Sequence, residues 1–479
     1  MTKTVLATRQ FTTADQTAFA DFSGDRNPMH LDPISARRTQ AGDVVIHGVH
    51  GLLWALEVLA AKGHLVHPVT GIQASFRRFI YLNQEAELHL VEVTPVKITA
   101  ELSCSGSTAS VITVKFAGPP TTNEPILVGG PETIISEHPL EPDPTALDGL
   151  QGWLRLSSGG LAMDLFPACS QYLGERRVEV LARLSTVVGM VCPGLHSIFS
   201  SLSVDVLEDE PGGSKLAWKA MVPDPRYARV VVAASGPGLQ GELKTLVRPA
   251  PVKSVNARDI ASRVMPDEFA DRRVVVIGGS RGIGAVTAKL LAAGGAEVAI
   301  TYLVGKADAE LVVADIRGEK GKARALQFDV LGDFEPLEDV LKNSTHIYYF
   351  ATQPITRQAA QVYSPATFQA FNRIYVDGFY AMAMAADPSN RDLSILFPSS
   401  VYVAERPRGM TEYAMSKAAG EQLCQDLMRA YPRLSITAPR LPRILTDQTA
   451  LAIPIKAEAA DAVMLPLLRT ERTHTTPSE

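Results

Sequence analysis

In the stretch FSGDRNPMHLDPISA, an acid and an imidazole, Asp25 and His30, stand five residues apart on either side of Asn-Pro. Carboxylates and imidazoles are the usual general bases and acids, so the pair could move protons on one small substrate. The same string is also ordinary loop chemistry, since Asp and Asn bond their own backbone and Pro fixes a turn. Downstream, IGGSRGIG places Gly278, Gly282 and Gly284 where a missing Cβ would let the backbone approach a pyrophosphate at a helix N-terminus. Further on, YAMSK sets Tyr413 and Lys417 one helical turn apart and so on one face, with Ser400 thirteen residues before the tyrosine.

The elements that must hold these residues differ along the chain. Residues 1–125 read as a short helix, a loop, one apolar helix (HGVHGLLWALEVLAAKG) and alternating strands such as AELHLVEVTPV, ITAELSCSG and ASVITVKFAG, an α+β layer architecture. The Pro-rich AGPPTTNEP leads into residues 126–250, where TALDGLQGWLRL, LAMDLFPACSQYL and RRVEVLARLSTVVGM read as helices. Strand-like runs follow: SIFSSLSVDVL, SKLAWKAMV, ARVVVAASG and GELKTLVRP. Helix followed by antiparallel strands repeats the first region and suggests two similar halves. After a linker at 251–271, residues 272–479 open with RRVVVIGGSRGIGAVTAKLLAAGGAEVAITYL, a βαβ unit. The runs KARALQFDV, HIYYFA, LSILFPSS and LSITAPRL then alternate with helical segments, as in a doubly wound α/β domain.

Composition excludes several classes. A chain of 479 residues exceeds one ordinary core, and 46% hydrophobic with 20% charged residues suits soluble domains with no membrane span. The N-terminus turns polar before a signal-peptide core can develop, so a cytoplasmic home is expected. Net charge −5 without a basic stripe argues against nucleic acid. Four scattered cysteines, Cys104, Cys169, Cys192 and Cys424, make no ligand spacing; no metal is expected, and the thiols read as buried.

The glycine motif and the Ser…Tyr-x-x-x-Lys set together resemble the short-chain dehydrogenase/reductase family over about 272–450, most closely its 3-oxoacyl thioester reductases. The resemblance implies that Tyr413 donates a proton to a carbonyl oxygen. Lys417 would lower the tyrosine pKa and hold the nicotinamide ribose, and Ser400 would polarise the carbonyl. Gly278, Ser280, Arg281, Gly282, Ile283 and Gly284 would line the cofactor, with Asp329 beside its adenine. The second strand ends AITYL without an acid, and Arg281 stands where it could meet a 2′-phosphate, which favours NADP(H) over NAD. The chain departs from the family in FATQP, where Asn-Asn-Ala-Gly is usual, in Tyr375 of YVDG, where an asparagine is usual, and in a short segment after TDQTALAIP.

The core SGDRNPMHLD, followed by IHGVHGLLWALEVL and GIQASFRRFIYLNQEAEL, resembles the MaoC-like (R)-specific enoyl thioester hydratases, whose hot-dog fold sets a sheet around one central helix. That likeness implies that Asp25 and His30 hold a water and add it to, or remove it from, an α,β-unsaturated thioester. Asn27 would brace the loop, and the Gly48 N–H would stabilise the enolate-like oxygen. His47 and His50 read as packing residues at the helix start. Residues 126–250 lack an SGDxNPxH counterpart, and their His196 reads as a packed loop histidine, so this half resembles the inactive half of a double hot-dog hydratase. The expected fold is an α+β double hot-dog followed by an α/β Rossmann domain. The expected function is NADPH-dependent 3-oxoacyl thioester reduction plus (R)-3-hydroxyacyl dehydration, on coenzyme A or an acyl carrier protein, in a homo-oligomer. The alternatives are a hydratase with a non-catalytic nucleotide-binding domain, and a non-catalytic sensor of NADP and acyl thioesters.

Overall fold

The computed structural model describes residues 4–117, 130–156, 161–208, 213–224, 228–252, 254–355, 362–446, 449 and 457–471. Most of AGPPTTNEP and of TDQTALAIP lies outside them. Two compact units meet in sequence between Ala250 and Pro251.

The first unit runs β1 (Thr4–Gln10), α1 (Thr13–Ser23), α2 (Gly48–Ala61), β2 (Gly71–Phe76), β3 (Glu85–Val93), β4 (Lys97–Cys104) and β5 (Ser107–Lys115). It continues with β6 (Gln151–Arg155), α3 (Glu175–Thr186), β7 (Ser197–Val206), β8 (Lys215–Met221), β9 (Arg229–Gly236) and β10 (Leu239–Val247). All ten strands form one sheet in the order β1-β3-β4-β5-β2-β7-β10-β9-β8-β6. Read from either edge, the two five-stranded halves share one order, and they join where β2 pairs antiparallel with β7.

Alternation explains the inward face: in β4, Ile98, Ala100 and Leu102 are buried while Lys97, Thr99 and Glu101 keep some exposure. The apolar helix α2 buries Val49, Leu52, Leu53, Leu56 and Leu59, and each such leucine contributes roughly 1.5–3 kcal/mol over exposure. Its one acid, Glu57, accepts from the N–H groups of Ala168 and Cys169 at 3.1 and 2.8 Å, capping the helix Pro167–Leu173 of the second half.

Two segments differ from the sequence reading. TALDGLQGWLRL, read as a helix, is a single turn at Pro144–Ala146 followed by strand β6. Gly149 takes a left-handed φ of +77°, which stops a helix, and pairing of Trp153 and Leu154 with β8 then outweighs local propensity. The stretch TVLATRQ, not anticipated as structure, is β1 and pairs with β3 at the sheet edge.

In the second unit, β11 (Arg273–Ile277), α4 (Gly282–Ala293), β12 (Glu297–Tyr302), β13 (Lys322–Gln327) and β14 (His346–Tyr349) come first. They precede α5 (Pro365–Asn372), α6 (Phe379–Ala385), β15 (Leu393–Leu396), α7 (Thr411–Ala430) and β16 (Leu434–Thr437). The six parallel strands lie in the order β13-β12-β11-β14-β15-β16, the doubly wound arrangement expected from sequence. The order reverses between β11 and β14, where such sheets open a crevice at their carboxyl ends. A wide helical turn, Arg373–Gly378, joins α5 to α6. All four cysteines are buried and unpaired, as expected. No helix among the described residues is long and apolar enough to cross a membrane.

Candidate active sites

In the SGDRNPMHLD string the turn chemistry falls to particular residues. Helix α1 ends at Gly24, whose left-handed φ of +79° returns its N–H to Ala20 O at 2.8 Å. A Cβ there would run into the Arg183 guanidinium. Asn27 caps the turn Pro28–His30 by accepting from Met29 N–H at 3.2 Å, and Asp32 caps Pro33–Ala36 by accepting from Ile34 N–H at 2.9 Å. The Asp25 side chain joins this turn chemistry with one oxygen, through Asn27 N–H, and the His30 side chain takes no part in it. The Asn27 amide donates to Gly189 O at 2.9 Å.

Asp25 is 2% exposed. Its Oδ1 accepts from Asn27 N–H at 3.1 Å, and its Oδ2 accepts from the Ser185 hydroxyl at 2.6 Å. Gly189 passes so close that a Cβ would overlap the carboxylate. Burial pushes the Asp25 carboxyl up, with His30, Ser185 and Asn27 acting against it. His30 Nδ1 lies 2.8 Å from Val45 O; a carbonyl only accepts, so Nδ1 carries the proton and Nε2 presents a lone pair. Burial pushes His30 down, with Asp25 opposing. An acid pushed up and a base pushed down in one small space suit proton transfer at neutral pH.

Sequence reading missed Ser185 and Gly189, which look like positions on a packing helix in RRVEVLARLSTVVGM; only the tertiary fold brings the end of α3 to the loop. It read His47 as a packing residue ahead of a catalytic one. In the structure the side-chain ligand atoms of Asp25, His30 and His47 lie within 4.8 Å of one another. The His47 and His30 ring centroids are 3.9 Å apart, and His47 Nε2 is 3.0 Å from Asp25 O. Burial holds His47 well below the usual histidine range, with His30 and His50 adding to the effect. His50 keeps its packing role, stacked on Phe19 at 4.7 Å. Gly48 opens α2, whose first N–H groups have no side-chain cap and so remain donors; a Cβ on Gly48 would press on the Phe76 ring at 3.1 Å. His196 Nε2 sits 2.7 Å from Glu141 Oε1, an acid 55 residues away in sequence.

In the second unit, Gly278 N–H donates to Thr301 Oγ1 at 3.1 Å and Gly279 N–H to Thr301 O at 2.9 Å, tying the glycine turn to β12. Gly278 has φ +80°, and a Cβ on it would lie 2.9 Å from the Phe350 carbonyl carbon; one on Gly284 would overlap Gly278 O. Ser280 and Arg281 lead into Gly282, Ile283 and Gly284, the first turn of α4, which has no side-chain cap. This side-chain-free cradle at a helix N-terminus fits a dinucleotide pyrophosphate. Asp329 lies exposed just beyond β13, accepting from Leu331 N–H at 2.9 Å.

Ser400 and α7 form the reacting end. Burial pushes the Tyr413 phenol up to about 12, its bond with Ser400 acting against this, so it keeps its proton at neutral pH. Lys417 is 4% exposed; burial brings its amine down to about 7. The amine donates to Pro398 O at 2.7 Å and lies 3.7 Å from the Tyr375 ring centroid, against 6.0 Å from that of Tyr413. The lowered tyrosine pKa expected from Lys417 is therefore not found: the amine is directed at Pro398 and Tyr375, and burial of the phenol dominates.

Residues 2–115 match the family model of the MaoC like domain, and residues 272–451 match that of short chain dehydrogenase. Over 90 residues the chain is 42% identical to an uncharacterized oxidoreductase of Methylorubrum extorquens, a match spanning 16% of this chain and 36% of that relative's length. A short chain dehydrogenase from Burkholderia cenocepacia, solved in complex with NADP, shares 26% identity over 42% of this chain and 89% of its own, with a TM-score of 0.37. A short-chain dehydrogenase/reductase from Serratia marcescens shares 26% identity over 38% of this chain and 78% of its own, with a TM-score of 0.35.

Proposed function

We propose that this chain, which joins a MaoC-like domain at its N-terminus to a short-chain dehydrogenase domain at its C-terminus, is a bifunctional acyl thioester enzyme. It reduces a 3-oxoacyl thioester at Tyr413 and removes water from the resulting (R)-3-hydroxyacyl thioester at Asp25 and His30, or runs the pair in reverse. The observation that carries this reading is the Asp25/His30 geometry: a braced, buried carboxyl beside an imidazole whose Nε2 lone pair is fixed by Val45 O. The equal strand order of the two halves supports residues 126–250 as a second hot-dog half, one that lends Ser185 and Gly189 to the site.

In dehydration His30 Nε2 takes the proton from C2, the electrons of that bond form C2=C3, and the C3–O bond breaks as Asp25 gives its proton to the leaving hydroxyl. After dehydration a proton passed from His30 to Asp25 resets the pair; hydration is the reverse and starts with that proton moved from Asp25 to His30. Donor N–H groups at the start of α2, Gly48 first, face the charge that develops on the thioester oxygen. Removing the Ser185 donor raises Asp25 further. Ser185→Ala should move the corresponding limb of the hydration pH profile to higher pH and lower the rate roughly tenfold; an unmoved limb refutes its role.

The glycine cradle would hold NADP(H), which supplies hydride when bound. Tyr413 gives its phenol proton to the carbonyl oxygen, Ser400 orients that oxygen, and Lys417 would hold the ribose. NADP is favoured because β12 ends Thr301-Tyr302 without an acid and Arg281 opens α4. Arg281→Ala should weaken NADPH binding roughly tenfold and NADH binding far less, in fluorescence titrations; equal losses would refute the phosphate contact.

The thioester is carried on coenzyme A or an acyl carrier protein. Following NADPH oxidation with a 3-oxoacyl thioester, and enoyl loss with water, tests each half separately. One observation favours a second reading, hydration alone above a silent nucleotide-binding domain: Lys417 faces Tyr375 rather than Tyr413. NADPH binding without turnover of any ketone would select it.

A further inference from the structure

We propose that Tyr375 is a positioning residue for the Tyr413/Lys417 site: its ring face seats the Lys417 ammonium, and a bond from its hydroxyl to Thr352 locks the ring in place. The inference rests on reading Tyr413 and Lys417 as the reducing site.

Tyr375 sits in the wide turn Arg373–Gly378 and is 1% exposed. Lys417 Nζ lies 3.7 Å from its centroid and 4.9 Å from that of Phe397. An ammonium carries three donors. Pro398 O takes one, and the negative ring face offers the remaining charge its partner. Thr352 Oγ1 donates to Gln353 O at 2.9 Å, so in its 2.5 Å bond with Tyr375 the tyrosine hydroxyl is the donor. That bond fixes the hydroxyl, and the contact Tyr375 makes with the lysine is through its ring face. Phe371 stacks nearly parallel to it at 5.8 Å and holds its plane. The titratable groups facing the amine are the Tyr375 and Tyr413 phenols and the Cys424 thiol. Glu421, one turn along α7, is taken by Ser399 and Arg440.

Because burial brings Lys417 to about 7, its charge is present in the folded chain below that pH and absent well above it. The test is a double-mutant cycle by urea unfolding of the full chain without cofactor, using Tyr375→Leu, Lys417→Met and both, at about pH 6 and about pH 9. At the lower pH, Tyr375→Leu should shift the midpoint more in the lysine background than in the methionine background. At the higher pH the two shifts should be equal. Tyr375→Phe keeps the ring and should retain most of the low-pH excess; Tyr375→Met replaces the leucine variant if that does not fold. Equal shifts in both backgrounds at low pH, or a Phe variant that behaves like Leu, would overturn the proposal. NADPH titration gives an independent reading: Tyr375→Leu should weaken binding about tenfold near neutral pH and Tyr375→Phe less than about twofold. A wild-type chain that binds no NADPH would sink the reductase reading, and the unfolding cycle would still decide the Tyr375–Lys417 contact.

Discussion

Asp25→Asn is expected to lower enoyl thioester hydration by about 10²–10⁴-fold, with NADPH binding intact and thermal stability at neutral pH no lower than wild type. The stability arm follows from the carboxyl being pushed above its usual value of 3.8 by burial. Between the unfolded and the raised folded pKa, the folded chain holds a proton that the unfolded chain has lost, so stability falls as pH rises through that window. At neutral pH the buried carboxyl costs the folded state stability, either to keep a proton the unfolded chain has lost or to bury the charge, and a neutral side chain of the same shape removes that cost. The asparagine can still accept from Asn27 N–H while its NH₂ donates to the Ser185 hydroxyl. A variant that keeps its hydration rate would remove Asp25 from the chemistry. One that loses both rate and melting temperature would report a damaged fold instead.

Tyr413→Phe should lower ketone reduction by about 10²–10⁴-fold and leave hydration unchanged, because each set of residues is built within its own unit. The substitution removes the proton donor and its bond to Ser400 while keeping the ring that packs edge-on to Phe371 and Tyr375. With the phenol near 12 and the Lys417 amine near 7, the neutral-pH limb of the reduction profile belongs to the lysine and should persist in whatever residual activity remains. Matched loss of reduction and hydration, checked in one preparation, would point to misfolding.

The parts of the fold that were legible in the sequence are those where local signals agree. An apolar strand, a glycine turn and an apolar helix announce the βαβ unit from Arg273 to Tyr302, and no tertiary contact contradicts it. In TALDGLQGWLRL the apolar spacing admits both periods, and only pairing with β8 decides for a strand. The SGDRNPMHLD string announced Asp25, Asn27 and His30 because the turn and the site occupy one short segment. Ser185 and Gly189 lie some 160 residues further on, on a helix that looks like packing, so the sequence held no signal for them. Tyr375 was visible as a departure from a family pattern, but the wide turn that lays its ring under Lys417 changes the helical phase and could not be read from spacing.

The most direct test of two working sites is mass spectrometry of a 3-oxoacyl pantetheine thioester incubated with the pure chain and NADPH, beside a reaction started from the enoyl thioester in water. Two working sites would yield both the 3-hydroxyacyl and the enoyl thioester from the ketone, and the 3-hydroxyacyl thioester from the enoyl substrate. A ketone left untouched across several chain lengths, with NADPH bound, would contradict the two-site reading.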